Sequence, residues 1–326
     1  MKRALLSLIA LAAAPALAQA PSDAEVEATL SGVVRVQSRI LADARTAASL
    51  GLRREGSGVL VREGYVLTIG YLVVEAESIE VTASDGKSAP ATLAAYDHQT
   101  GVGLLRLVAP LAGRPMPFGD SRALEERDAA MVVGAGGAEA VHLVQVASRR
   151  PFAGSWEYLL EAPIVTYPPV PNWSGAALLN AKGELLGVGS LVLPDAGADD
   201  ARVPGNLFVP IEVVAPILED LVARGRAARP ARPWLGLNLQ ELHGRLIVGR
   251  LSPEGPAELA GVRPGDLLVA VEGERVGSLA EFYRRLWARG AAGADVTLRV
   301  QREGEARELT VRSIDRLEHL RRPRAY

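Results

Sequence analysis

The feature that most constrains the fold is a regular alternation of short apolar runs and turns through the middle of the chain. Runs rich in valine, leucine and isoleucine recur at residues 59–61, 65–68, 79–82, 104–107 and 131–133. Asp85-Gly86, between two of these runs, is typical of a hairpin turn. Short strands separated by roughly 8–12 residues are typical of an all-β barrel.

Residues 171–178 read PNWSGAAL, which resembles the nucleophile loop, roughly PGNSGGPL, of chymotrypsin-like serine proteases of the HtrA/DegP family. The resemblance makes Ser174 the equivalent of the nucleophile. Residues 64–73 (GYVLTIGYLV) resemble the family's histidine motif, with Tyr71 in the place of the histidine. Residues 97–105 (DHQTGVGLL) resemble its aspartate motif, with Gly101 in the place of the aspartate. The resemblance implies a mainly β fold: a chymotrypsin-like double β-barrel followed by a C-terminal PDZ domain.

The residues missing from these motifs are the ones that would activate the serine. A serine hydroxyl needs an adjacent base held in place by a third group. Tyrosine titrates near ~10, and glycine has no side chain. Loss of the nucleophile or the histidine in a serine protease costs on the order of 10⁶ in turnover. The sequence therefore predicts that Ser174 is a vestigial nucleophile, with Tyr71 and Gly101 at the positions of the lost partners.

Two features of this region leave alternatives open. His98 lies three residues before Gly101 and is the nearest candidate for a replacement base, although an exposed loop histidine is the simpler interpretation. By the resemblance, the backbone N–H groups of Asn172 and Ser174 form the oxyanion hole, since asparagine tolerates left-handed backbone conformations. Trp173 either covers the site or packs into an altered loop.

The most specific stretch lies downstream. Residues 252–257 (SPEGPA) and 260–266 (AGVRPGD) resemble the signature of an HtrA-type PDZ domain. In such a domain, backbone N–H groups of one loop capture a peptide's C-terminal carboxylate and the peptide adds as a strand. The resemblance assigns that loop to Trp234, Leu235, Gly236 and Leu237. Ser278 is a good N-cap for a helix, on which Leu279, Phe282 and Tyr283 are expected to line both the core and the peptide groove, a core-only stripe being the alternative.

The N-terminus predicts export. Residues 1–20 combine a basic start, an apolar run and the small-x-small sequence Ala18-Gln19-Ala20, as a signal peptide cleaved after Ala20 would. The apolar run is too short for a stable transmembrane helix. We expect an exported protein without stable membrane insertion, located in the periplasm if the cell has an outer membrane.

Composition excludes several function classes. The chain has no cysteine, which excludes disulfides and thiolate catalysis. Its formal net charge of −2 gives no argument for nucleic-acid binding. Residues 195–200 (DAGADD) lack the alternation of a calcium loop. No metal and no cofactor is expected.

The motifs divide the chain into six segments. These are a signal peptide at 1–20, an N-terminal segment at 21–54, a double β-barrel at 55–224, a linker at 225–233, a PDZ domain at 234–315 and a basic tail at 316–326. Residues 21–54 contain no aromatic residue, which puts in doubt the trimer that the family often builds through N-terminal aromatics.

Three functions are consistent with these motifs. The first is a pseudoprotease that holds peptides or protein C-termini in a regulatory or chaperone role. The second is an active serine endopeptidase with an unconventional base, such as His98 or a histidine of a neighbouring subunit. The third is an adaptor partnered with a homologous active protease.

Overall fold

The protein is mainly β: two closed barrels are followed by a six-stranded sheet with its own core. The computed structural model describes residues 23–197 and 203–322. The signal sequence and the far C-terminus predicted above lie outside this part, as do residues 198–200 of the acidic loop. Within the described residues, no helix is long and apolar enough to cross a membrane.

The first barrel follows a helix, α1 (Asp23–Ser31). Its strands pair in the order β1-β2-β3-β6-β5-β4 and close through β1 and β4. A short helix, α2 (Ala47–Leu50), connects β1 to β2. The strands are β1 (Val33–Ile40), β2 (Arg53–Arg62), β3 (Tyr65–Ile69), β4 (Ala76–Thr82), β5 (Ser88–Asp97) and β6 (Val102–Leu107). The sequence sets residues 21–54 apart from the barrel, but β1 lies within them. Without β1, the edges of β2 and β4 would be unpaired.

The second barrel has the order β11-β14-β13-β12-β7-β8, and a hairpin of β9 and β10 projects from it. Its closing segment is a helix, α3 (Ile211–Val214), a 3-10 turn and a second helix, α4 (Leu218–Arg224). The strands are β7 (Ala129–Val133), β8 (Val141–Ser148), β9 (Phe152–Gly154), β10 (Tyr158–Leu160), β11 (Ile164–Tyr167), β12 (Ala177–Leu179), β13 (Leu185–Leu193) and β14 (Gly205–Pro210).

The C-terminal sheet has the order β15-β16-β17-β19-β20, with β18 paired to β17. Its strands are β15 (Leu237–Leu242), β16 (Arg245–Leu251), β17 (Leu267–Val271), β18 (Glu274–Arg275), β19 (Asp295–Arg302) and β20 (Glu305–Arg312); its helices are α5 (Pro256–Leu259), α6 (Leu279–Ala288) and α7 (Arg316–His319). As predicted, Ser278 caps α6, because its hydroxyl accepts a hydrogen bond from the Glu281 N–H at 3.2 Å.

The hairpin joins the second barrel to the C-terminal domain. Leu159 is buried in the core of that domain, and Ala153 packs against it. Arg316 is part of the same contact, since its guanidinium lies 3.0 Å from both ring nitrogens of His98. The described start of the basic tail is therefore packed between the domains. The hairpin thus connects the barrels, which carry Ser174, to the domain that carries the predicted peptide groove.

Candidate active site and peptide groove

Ser174 lies in the loop between β11 and β12 and is held against the first barrel by β2. The backbone N–H of Ser57 donates to the Ser174 carbonyl oxygen at 2.7 Å. This close approach requires a glycine at position 56, because a Cβ there would lie 2.7 Å from the Ser174 carbonyl oxygen and 2.9 Å from its Oγ. The glycine of the EGSG stretch thus allows two chain segments to meet at the serine.

Tyr71 lies in a 3-10 turn, Gly70–Leu72, that follows β3. The buried guanidinium of Arg54 fixes this turn by donating to the Tyr71 carbonyl oxygen at 2.6 Å and to the Val74 carbonyl oxygen at 3.2 Å. Burial lowers the pKa of Arg54 to about 10, and the charge of Glu75 opposes this change. Arg54 remains charged at neutral pH and holds Tyr71 beside Ser174.

The Tyr71 hydroxyl is the side-chain partner of Ser174. It lies 2.7 Å from Ser174 Oγ and 3.0 Å from the carbonyl oxygen of Ser190. A phenol has one proton to donate, and a carbonyl oxygen only accepts. In both contacts the Tyr71 hydroxyl is the donor, so its single proton is shared between Ser174 Oγ and the Ser190 carbonyl oxygen. The group beside Ser174 Oγ is therefore a neutral phenol that donates, and a neutral phenol oxygen is a very weak base.

Burial makes the phenolate form of Tyr71 scarcer still. It raises the pKa of Tyr71 above its ordinary value of 10.0, and the hydrogen bond with Ser174 opposes this rise. The Trp173 side chain also opposes it, although its buried indole Nε1 makes no hydrogen bond within the part of the chain that the structure describes. Tyr71 is therefore neutral at physiological pH and is not suited to remove a proton from Ser174.

Gly101, the predicted position of the aspartate, is crowded by a residue of the β9–β10 hairpin. Gly101 has a φ of +79°, a left-handed conformation that favours glycine. A Cβ at this position would lie 2.9 Å from the Tyr158 hydroxyl oxygen. That hydroxyl donates to the Thr100 carbonyl oxygen at 2.7 Å. The sequence motif predicts that the carboxylate is missing, but Tyr158 lies too far along the chain for local spacing to reveal that it fills the space.

His98 does not lie with Ser174. It is half-buried between the domains, 3.1 Å from the Tyr96 hydroxyl through Nδ1 and 3.2 Å from the Glu157 carbonyl oxygen through Nε2. Burial and the charge of Arg316 hold its pKa well below 6.5. The interpretation of His98 as an exposed loop histidine is wrong, because the C-terminal domain covers it. None of the four histidines of the chain lines the cleft at Ser174.

The cleft beside Ser174 has a volume of about 570 Å³ and is partly basic. Asn172 and Trp173 both line it. Asn172 does not adopt a left-handed φ, and its N–H remains a predicted member of the oxyanion hole. The charged residues of the lining are Arg35, Arg53, Arg54 and Glu55. Among the described residues, no group of three or more His, Asp or Glu side chains is placed to hold a metal ion.

The predicted carboxylate-binding loop lies at the start of β15, and its N–H groups face a carboxylate of the same chain. The N–H groups of Leu235 and Leu237 donate to the side chain of Glu157 at 2.9 and 2.7 Å. Tyr283 on α6 lines the adjoining groove, where its hydroxyl donates to the Gly154 carbonyl oxygen at 2.6 Å. Leu279 and Phe282 are buried in the domain core. Sequence reasoning missed Glu157, which carries no motif.

Two family models match the chain. Residues 56–188 match the trypsin-like peptidase domain, and residues 233–312 match the PDZ domain. The chain therefore resembles a trypsin-like peptidase domain followed by one PDZ domain.

Curated relatives of the chain are named as periplasmic serine proteases. The chain is 27% identical over 277 residues to the probable periplasmic serine protease do/HhoA-like of Haemophilus influenzae, and 28% identical over 276 residues to the probable periplasmic serine endoprotease DegP-like of Halomonas elongata. Each match covers 79% of this chain but only 57% and 56% of the respective relative. The chain thus spans little more than half the length of these two relatives.

Solved structures share its fold. The HtrA-type protease AlgW with decapeptide matches with a TM-score of 0.54 and 21% identity, covering 92% of this chain and 98% of that one. A serine endoprotease from Yersinia pestis matches with a TM-score of 0.53 and 22% identity, covering 91% and 99%. These likenesses agree with the fold predicted from the sequence, a chymotrypsin-like double barrel followed by a PDZ domain.

Proposed function

We propose that this HtrA-like protein is an exported pseudoprotease that binds peptides or protein C-termini through its PDZ domain, in a regulatory, chaperone or adaptor role. The observation that carries the proposal is the contact between Ser174 and Tyr71. The serine faces a neutral phenol where catalysis requires an oriented base. The loop at Leu235–Leu237 in turn directs its N–H groups at a carboxylate, as a site for peptide C-termini would.

Location in the periplasm is part of the proposal. It is supported by the signal-like residues 1–20 and by the names of the relatives from Haemophilus influenzae and Halomonas elongata, which are described as periplasmic. Peptide binding is further supported by the HtrA-type protease AlgW, whose structure was solved with a decapeptide.

The competing function is an active serine endopeptidase that uses Ser174 with a non-standard base. The observation in its favour is that the relatives are named serine proteases. Against it, His98 is packed between the domains and does not line the cleft at Ser174. Its lowered pKa keeps it neutral, but a neutral imidazole at this distance cannot act on the serine. A base supplied by a neighbouring subunit would be needed.

The experiment that separates the two treats the purified protein and its Ser174→Ala variant with a fluorophosphonate probe, beside a casein digest. Trypsin serves as the positive control. We expect neither labelling nor digestion by the folded protein. Labelling and digestion that both disappear in Ser174→Ala would refute the pseudoprotease proposal and support the endopeptidase.

A further inference from the structure

Glu157 is a buried carboxyl in a strained turn. Only 2% of the residue is exposed, and its φ of +60° is uncommon for a residue with a side chain. A buried carboxyl is costly unless hydrogen bonds satisfy it. Its oxygens accept from the Leu235 N–H at 2.9 and 3.2 Å and from the Leu237 N–H at 2.7 Å. These N–H groups belong to the loop that should capture the C-terminus of a peptide.

The hairpin turn that carries Glu157 meets β15 through one backbone hydrogen bond. The N–H of Leu239 donates to the carbonyl oxygen of Ser155 at 3.0 Å. Ser155 is hydrogen-bonded to Leu239, and Glu157, two residues later, is hydrogen-bonded to Leu237 and Leu235. The two segments therefore run in opposite directions. This is the direction in which a peptide that adds to a sheet edge brings its end to the loop.

The opposite wall of the groove holds the same segment. The Tyr283 hydroxyl on α6 donates to the Gly154 carbonyl oxygen at 2.6 Å and accepts from the Glu157 N–H at 3.1 Å. Both walls of the groove, β15 and α6, thus hydrogen-bond to residues 154–157. We call residues 154–157 the internal ligand.

We propose that the internal ligand occupies the PDZ groove, with the Glu157 carboxylate in the place of a peptide's C-terminal carboxylate, so that a peptide binds only after displacing it. The same two N–H groups cannot serve both carboxylates. The inference rests on the proposed peptide-binding function. It makes the barrel domain, through its β9–β10 hairpin, the competitor that sets the affinity of the PDZ domain.

The size of the effect follows from the population of the open groove. Minor states of two-state proteins commonly amount to about 0.1–10% of the molecules. Apparent affinity falls in proportion to the competent fraction, here by about 10- to 1,000-fold. Removal of the Glu157 carboxylate is expected to raise the apparent affinity for a peptide at least tenfold.

The test compares the full chain with two variants, Glu157→Ala and Glu161→Ala. Glu161 is the matched control, because it lies on the same hairpin side of the interface and pairs with Arg284 of α6 at 2.6 Å without touching the loop. The probe is a library of fluorescein-labelled heptapeptides, randomised at the last four positions and ending in a free carboxylate. The same library with amidated C-termini controls for carboxylate recognition. Hydrogen exchange of the Leu235 and Leu237 amides is measured in parallel.

We expect both amides to be protected in the unaltered chain and in Glu161→Ala, and to exchange at least tenfold faster in Glu157→Ala. That variant should also capture the free-carboxylate library, but not the amidated one, at a tenfold or lower protein concentration. Fast exchange in the unaltered chain overturns the proposal, as does equal capture by all three proteins. The exchange measurement on the unaltered chain needs no variant to fold. If exchange behaves as expected but no protein captures the library, the internal ligand stands and the peptide-binding function falls.

Discussion

The contact between Gly101 and Tyr158 leaves no room for a side chain at position 101. Replacing Gly101 with alanine adds a Cβ that lies 2.9 Å from the Tyr158 hydroxyl oxygen and 3.2 Å from two of its ring carbons. Overpacking of this kind costs about 1–3 kcal/mol. The left-handed backbone, at φ +79°, adds about 1–2 kcal/mol for a residue with a Cβ. Gly101→Ala should therefore lower the free energy of unfolding by about 2–5 kcal/mol.

The chain provides a control for the backbone part alone. Gly86 has a similar φ of +83°, but a Cβ there has nothing within 4 Å. Gly86→Ala should lower the free energy of unfolding by only about 1–2 kcal/mol. Urea unfolding followed by tryptophan fluorescence measures both changes, and Trp156, stacked on Tyr158 with ring centroids 5.9 Å apart, reports on the site itself.

A second substitution tests the identity of the crowding group. Tyr158→Phe removes the hydroxyl that the new Cβ would meet, so Gly101→Ala should cost less in the Tyr158→Phe background than in the unaltered chain. The two changes should be coupled by at least about 0.5 kcal/mol, as contacting residues usually are. Equal destabilisation by Gly101→Ala and Gly86→Ala would refute the claim that Tyr158 fills the position of the aspartate.

Three further outcomes are expected. The double variant Tyr71→His/Gly101→Asp should gain no casein hydrolysis, because position 101 has no room for an orienting carboxylate; hydrolysis that is lost on adding Ser174→Ala would contradict this. Burial raises the pKa of Glu157 from 4.5 to about 7, so its contribution to stability is present below about pH 4.5 and is lost as the pH rises toward 7. The difference in unfolding free energy between the unaltered chain and Glu157→Gln should therefore fall by up to about 3 kcal/mol between pH 4.5 and pH 7. His98, Arg316 and Tyr283, which lie around the carboxyl, are present in both proteins, so their own effects on stability cancel in this difference. A difference that does not change with pH would show that Glu157 is ionised when buried. Finally, Ser174→Ala should leave capture of the peptide library by Glu157→Ala unchanged, since the groove and the serine cleft have no residue in common, and a weakened capture would show that the two sites are coupled.

Much of the fold could be predicted because it depends on local patterns. The apolar runs at 59–61, 65–68 and 79–82 lie in β2, β3 and β4, since strand formation follows alternation and turn residues. The PDZ signature and the cap at Ser278 likewise depend on residues close together in sequence. The predicted boundary at residue 55 left strand β1 outside its barrel. A barrel is closed by pairing between distant segments, and no single apolar run encodes that pairing.

The sequence by itself determined the residues of the three motifs. It places Ser174, Tyr71 and Gly101 in stretches that resemble those of a double-barrel serine protease, and it supplies no histidine at position 71 and no aspartate at position 101. Only the tertiary structure decided what stands there instead. Tyr158 fills the space beside Gly101, and Glu157 accepts from the N–H groups of the predicted carboxylate-binding loop. Both residues come from a hairpin distant in sequence from the groups they meet. Their roles depend on how the two domains pack, which side-chain burial and backbone hydrogen bonds set only when the whole chain is folded.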